Sequence, residues 1–219
     1  MIFAIVPVKR FENSKSRLAS LLGLQERKTL SELMLDDTLS TLAASGCFAQ
    51  VLVVTGDSRA KEVAARRGAK VIFQQSDAGV NSAVALANEY STKTDAQATV
   101  VVPQDLPLMS ADDVVGVCAL ADGDRCIVVC PSGRFDGTNI LLRKPPSAIA
   151  THYDNNSYEN HLQAAREAGI PAKIIESKNL MFDLDTPDDA KELANMQDDV
   201  IAAKSAASFI KSALSGASR

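Results

Sequence analysis

The stretch Ala98-Thr99-Val100-Val101-Val102-Pro103-Gln104-Asp105-Leu106-Pro107 decides the fold. Its first five residues are apolar or β-branched and carry no charge, the pattern of a strand buried on both faces, and Pro103 stops it. A strand that ends this way hands Asp105 to a loop, so the carboxylate meets a rim and not a core. Strands of this continuous type belong to parallel sheets covered by helices on both sides.

The residues upstream supply those helices. Ile2 to Val8 is an apolar strand. Gln25 to Ala44, closed by Gly46, carries Leu30, Leu33, Met34 and Leu42 among polar residues and predicts an amphipathic helix. Val51 to Val54 is a second strand, and Thr55-Gly56-Asp57-Ser58 turns and caps into a helix over Arg59 to Arg67, ended by Gly68. A third strand, Lys70 to Phe73, leads through a polar loop to an alanine-rich helix, Ser82 to Tyr90. The alternation of strand and helix up to Asp105 predicts a three-layer α/β/α sandwich around a mostly parallel sheet.

Downstream, Ser110-Ala111-Asp112-Asp113 caps a helix to about Leu120, Arg125 to Cys130 and Ile140 to Leu142 are strands, and Pro145-Pro146 stops the second of them. A helix over Glu159 to Ala168 and a strand over Ala172 to Ile175 follow. The chain then runs through Phe182-Asp183-Leu184-Asp185-Thr186-Pro187, where an extended backbone would project Asp183 and Asp185 from one face just before a helix start. Leu193, Met196, Val200, Ala203, Ala207, Ile210 and Leu214 recur at spacings of three and four, a heptad seam on one long helix over about 187–215 with a polar tail. That helix either docks on its own domain or pairs across a homodimer interface. No repeat or linker divides the chain, so a single domain over 1–219 is expected.

Composition narrows the function. With 219 residues, 46% of them hydrophobic, the chain can bury a full core. A net charge of -4 offers no basic groove for nucleic acid. The segment Met1 to Pro7 is too short for a signal sequence, and no apolar run approaches the roughly 20 residues of a membrane span, so a cytoplasmic protein is expected. The four cysteines lack Cys-x-x-Cys spacing, and His152 and His161 are not at zinc spacing, which leaves the histidines to packing or supporting hydrogen bonds.

Chemistry concentrates in the loops. Asp105, Asp183 and Asp185 offer only oxygen ligands, and three carboxylates that converge call for a hard divalent cation, magnesium before zinc; the plainer alternative makes Asp105 a turn residue and Asp185 an N-cap. Lys9-Arg10-Phe11-Glu12-Asn13-Ser14-Lys15-Ser16-Arg17-Leu18 follows the first strand with four cations and suits a triphosphate at the rim of the sheet, or is simply a solvated basic loop. It has no glycine, so side-chain charge must replace the amide cradle of Walker-type loops. Gly79 permits close approach of a ligand, and Asn81 either bonds a base edge or ribose or caps a helix. Thr138 and Asn139, after Gly137, either grip a substrate oxygen or close a turn. Ser157 stands at a helix N-terminus, facing an anion or acting as an N-cap.

Taken together in this order, Pro7-Val8-Lys9, Ser14-Lys15-Ser16-Arg17-Leu18, Gly79-Val80-Asn81, Pro103-Gln104-Asp105-Leu106-Pro107, Gly137-Thr138-Asn139 through Leu142 to Pro145-Pro146, and Asp183-Leu184-Asp185-Thr186-Pro187 resemble the 2-phospho-L-lactate guanylyltransferases over nearly the whole chain. The resemblance implies a nucleotide-diphospho-sugar transferase (GT-A) like fold. It also implies transfer of GMP from GTP to 2-phospho-L-lactate, with phosphoenolpyruvate or 3-phosphoglycerate as acceptors in relatives, in the biosynthesis of coenzyme F-420. It places Mg2+ on Asp105, Asp183 and Asp185, GTP on Pro7, Lys9, Lys15, Gly79 and Asn81, and the acceptor on Lys15, Thr138, Asp154 and Ser157, with Lys15 and Asp105 catalytic. Asp154, Asn155 and Asn156 stand where many members have a glycine-rich turn, which leaves the acceptor open. A sugar phosphate or molybdopterin as acceptor, and a nucleotide-binding module without chemistry, are the competing readings.

Overall fold

The computed structural model describes residues 1–216; the end of the expected polar tail lies outside them. The chain runs β1 (Ile2–Val8), α1 (Leu24–Ser45), β2 (Gln50–Thr55), α2 (Ser58–Arg66), β3 (Lys70–Phe73), α3 (Gly79–Lys93), β4 (Ala98–Val101), α4 (Ala111–Ala119), β5 (Cys126–Pro131), β6 (Thr138–Lys144), α5 (Ser157–Glu167), β7 (Ala172–Ile174), α6 (Lys178–Met181), α7 (Pro187–Asn195) and α8 (Lys204–Gly216). The strands form one seven-stranded sheet in the order β3-β2-β1-β4-β6-β5-β7. All neighbours are parallel except where β6 runs against β4 and β5. This is the mostly parallel α/β/α arrangement the alternation of elements predicts.

Side-chain alternation along each strand fills two separate cores. Ala4, Val6 and Val8 of β1 face one side with residues of α1, α2, α4 and α6, while Phe3 and Ile5 face the other with residues of α3 and α5. Because β6 is antiparallel, its first residue, Thr138, starts at the rim where β1 and β4 end. That places loops after β1 and β4 and the start of β6 around one opening, at the carboxyl ends of the parallel strands.

A bulge refines this placement. Cys130 pairs with Ile140 and Pro131 with Thr138, so Asn139 is an extra residue on β6. Asn139 donates from Nδ2 to the Leu180 carbonyl at 2.8 Å on the α6 side, and Thr138 is turned instead toward α5, where its hydroxyl lies 3.0 Å from His161 Nδ1. Strict alternation would have sent Thr138 the same way as Ile140.

The continuous helix expected over 187–215 is two helices. Met196 leaves helical backbone at ψ 150°, Val200 is exposed, and the amides of Ala202 and Ala203 both bond the Pro107 carbonyl, at 3.1 and 2.9 Å. Asp37 of α1 then accepts the Ala206 amide at 3.0 Å and fixes the start of α8. The seam residues Leu193, Ala203, Ala207 and Ile210 are buried together against Leu30 and Met34 of α1. The heptad spacing reflects two helices serving one cluster within the chain, and those residues are not free to line a homodimer interface.

Candidate active site

The opening at the carboxyl rim is a cleft of about 730 Å³. Lys15 is its pivot. The residue sits in left-handed backbone at φ 53° and ψ 35°, a conformation uncommon for a side chain of this size, and its side chain is only 4% exposed. Its ammonium donates to Asp105 at 2.6 Å and to Asp185 at 2.9 Å. Arg17 adds a longer contact to Asp185, at 3.9 Å.

The two acid-bearing segments are tied by backbone as well. The Leu184 amide donates to the Asp105 carbonyl at 3.0 Å, which brings residues 183–185 alongside the end of β4. Neither plain alternative for these acids holds locally. Thr186, not Asp185, is the N-cap of α7, in a capping box with Asp189, and Asp189 also accepts the amide of Asp185 at 3.0 Å. The Asp185 side chain is thereby released to the cleft, and Asp105 is engaged with Lys15.

Charge in the cluster is unbalanced. Burial works against the charge of Lys15, yet Asp105 and Asp185 hold its pKa above the ordinary lysine range. Burial likewise opposes ionisation of Asp185, and Lys15, Arg17 and Arg134 hold it below the ordinary carboxylate range. Asp183 is the acid left over: burial first, then repulsion from Asp105 and Asp185, pushes its pKa up to about 6. Among the described residues no three acidic, histidine or cysteine side chains are gathered into a preformed metal cage. The donor set nevertheless suits magnesium, which is ordinarily held by one or two carboxylates with substrate phosphates completing the shell. Asp105, Asp183 and Asp185 are the residues from which those one or two carboxylates would come.

A stability prediction follows from Asp183. Its folded pKa lies above the unfolded value near 3.9, so the proton binds the folded state more tightly. The charge therefore costs stability from about pH 4 upward, with the full cost present above about pH 6. Asp183→Asn is expected to stabilise the protein by about 1–2 kcal/mol at pH 8 in chelator, after discounting for partial exposure, and by nothing at pH 4. Urea unfolding at the two pH values measures this, and equal stability of variant and wild type at pH 8 would show that neither burial nor the neighbouring acids penalise the charge of Asp183.

The first loop is anchored by two neighbouring carboxylates. The Phe11 amide donates to Asp57 at 2.9 Å, the Arg10 amide to Asp77 at 3.1 Å, and Asn13 Nδ2 to Asp77 at 3.0 Å. Amides that a glycine-rich loop would turn to a phosphate are here already engaged, and charge comes from Lys9, Lys15 and Arg17 on the cleft wall. Pro7 and Gly79 also line the cleft; Gly79 has φ 87°, which a side chain would strain.

Asn81 is a correction. It lies inside α3, which begins at Gly79, so it caps nothing, and it does not line the cleft. Its carboxamide accepts the Tyr153 amide at 2.9 Å and donates to Asp154 at 3.2 Å, fastening the loop before α5. On the far wall stand Thr138, Asp154 and Ser157. Ser157 is the first residue of α5, after Asn156 in left-handed backbone, so it is not the N-cap; it is buried at the cleft wall. Lining residues the sequence does not single out include Asp77, Arg134 and Tyr153, each in a loop without a local signature beyond Asp77 standing two residues before Gly79.

The chain thus sets a cation-lined first loop and three carboxylates at the carboxyl rim of a seven-stranded, mostly parallel sheet. Solved structures share the fold: one from Desulfovibrio desulfuricans G20, named for nucleotide-diphospho-sugar transfer, superposes with a TM-score of 0.74 at 15% identity, covering 97% of each chain. Residues 2–212 match the family described as guanylyl transferase CofC like, and the chain belongs to that family. A phosphoenolpyruvate guanylyltransferase of Sphaerobacter thermophilus is 36% identical over 87% of this chain and 91% of its own. A 3-phospho-D-glycerate guanylyltransferase of Phenylobacterium zucineum is 35% identical over 89% and 90%, and a 2-phospho-L-lactate guanylyltransferase of Methanocella arvoryzae is 36% identical over 87% and 78%. Among the described residues no helix is long and apolar enough to cross a membrane.

Proposed function

We propose that this guanylyltransferase moves GMP from GTP to the phosphate of a small phosphorylated acid, 2-phospho-L-lactate or its enol counterpart phosphoenolpyruvate, for coenzyme F-420 biosynthesis. The observation that carries the reading is the meeting of Lys15 with Asp105 and Asp185 in a cleft whose opposite wall holds Thr138 and Ser157. One wall is cationic and suits a triphosphate; the other presents hydroxyls and a helix N-terminus to an anionic acceptor. Family membership and relatives that take such acids support the assignment.

In this reaction a phosphate oxygen of the acceptor forms a bond to the α-phosphorus of GTP, the bond from that phosphorus to the β-bridging oxygen breaks, and pyrophosphate leaves. No general base is needed, because a phosphate monoester is already largely dianionic at neutral pH, its second pKa being about 6. The chain must therefore align the two anions and screen their charge. Lys15, already held by two carboxylates, would bring a fixed positive charge toward the phosphates. Magnesium, when bound by the acids, supplies charge neutralisation at the phosphates.

The test is pyrophosphate release from each nucleoside triphosphate with each of phosphoenolpyruvate, 2-phospho-L-lactate, 3-phosphoglycerate and a sugar phosphate, with magnesium and with chelator. Turnover with GTP and one of the three acids, abolished by chelator, is the expected result. Tight NAD binding with no magnesium-dependent GTP binding would replace this reading with that of a non-catalytic module.

A further inference from the structure

His161 is fully buried on α5, and both its ring nitrogens are engaged. The His152 backbone amide donates to Nε2 at 2.9 Å, and Nδ1 lies 3.0 Å from the Thr138 hydroxyl. A backbone amide can only donate, so Nε2 presents its lone pair and the one proton of a neutral imidazole must sit on Nδ1. The ring is neutral: burial, then His152 and Arg143, brings its pKa down to about 3. Tyr153 packs edge-on against it at 4.9 Å and holds its plane. Nδ1–H therefore donates to Thr138 Oγ1.

A free threonine hydroxyl is ambivalent, able to give or take a hydrogen bond. Here one of its acceptor positions is filled by an imidazole that can only give, and the bulge at Asn139 has turned Thr138 to that partner at the cleft wall. We propose that His161 makes Thr138 a committed donor toward an anionic oxygen of the acid substrate, so that His161 is a positioning residue for the acceptor and acts through the threonine. The proposal rests on the guanylyl-transfer reading for the identity of the oxygen, and not for the direction of the bonds.

The direction is read first, on the unliganded wild-type protein, by long-range proton–nitrogen correlation spectra of the His161 ring. A proton on Nδ1 and a bare Nε2 are expected, and the opposite tautomer overturns the proposal whatever the enzyme's substrates. The second reading is kinetic. His161→Leu is expected to raise the acceptor KM about ten- to a hundred-fold, the effect of losing one hydrogen bond to a charged group, with the KM for GTP unchanged. His161→Asn, whose amide nitrogen can stand near the Nδ1 position and donate to Thr138, is expected to recover most of it. Equal changes in both KM values, or no rescue by asparagine in a folded variant, would reduce His161 to a packing residue. Should His161→Leu fail to fold, the spectra alone decide; should no acid serve as substrate, the guanylyl-transfer reading falls while the tautomer is still measured.

Discussion

Asp105→Asn is expected to lower the rate of pyrophosphate release by about a hundred- to a thousand-fold, the scale of removing one fixed electrostatic group from a reacting centre. The substitution is nearly isosteric. It leaves the Asp105 carbonyl that accepts the Leu184 amide at 3.0 Å, so the two acid-bearing segments stay joined, and Lys15 keeps its bond to Asp185 at 2.9 Å. What is lost is a negative charge at the end of β4, one proposed to hold a divalent cation beside the triphosphate, which also pairs with Lys15 at 2.6 Å. Thermal midpoint and GTP affinity in chelator should change little, which separates lost chemistry from lost structure. Asp122→Asn, an exposed carboxylate paired with Lys173 away from the cleft, is the control. Wild-type turnover by Asp105→Asn would remove the acid cluster from the mechanism.

Lys15→Ala is expected to act on folding and activity together. Removing one partner of a fully buried ion pair costs about 3–5 kcal/mol because it strands the other charge. Asp105 and Asp185 are 23% and 37% exposed, so water screens them in part and a loss of about 2–3 kcal/mol is the better expectation. In chelator the variant then carries three facing acids with no ammonium between them. Adding magnesium should recover stability as any ligand of the folded state does, and more steeply for Lys15→Ala than for wild type, because the ion takes over the neutralisation that the lysine provided. Denaturant unfolding with and without magnesium measures both. A variant as stable as wild type and indifferent to magnesium would mean that the carboxylates do not repel. Turnover should be severely reduced even with magnesium, since the metal replaces the charge of Lys15 and not the contact with the phosphates proposed for it.

The sheet was legible because buried strands such as Ala98–Val101 have few competing readings, and glycines such as Gly46 and Gly68 stand just past helices they end. The C-terminal region misled for a specific reason. Leu193 and Ile210 keep helical spacing across a break, because α7 and α8 pack into the same cluster, and periodicity alone cannot tell one helix from two. The acids were visible as sequence punctuation, but sequence alone leaves Asp185 an N-cap candidate, and the box formed by Thr186 and Asp189 that releases it comes from the structure. Only the family resemblance selects Lys15 from among four cations, since nothing in Ser14-Lys15-Ser16 announces a left-handed residue. The partnership of Thr138 with His161 was not readable, as it depends on a one-residue bulge 22 positions before the histidine.

The anchoring of the first loop by Asp57 and Asp77 has a thermodynamic consequence for ligand capture. A segment held in place before the ligand arrives forfeits little conformational freedom on association, so the grip it provides is preorganised. The groups it offers to phosphates are ammonium and guanidinium instead of a ring of amides, and attraction between ions at a solvent-facing cleft weakens as the Debye length shortens. Affinity for the donor should therefore be set more by ionic strength than by any flexing of the polypeptide.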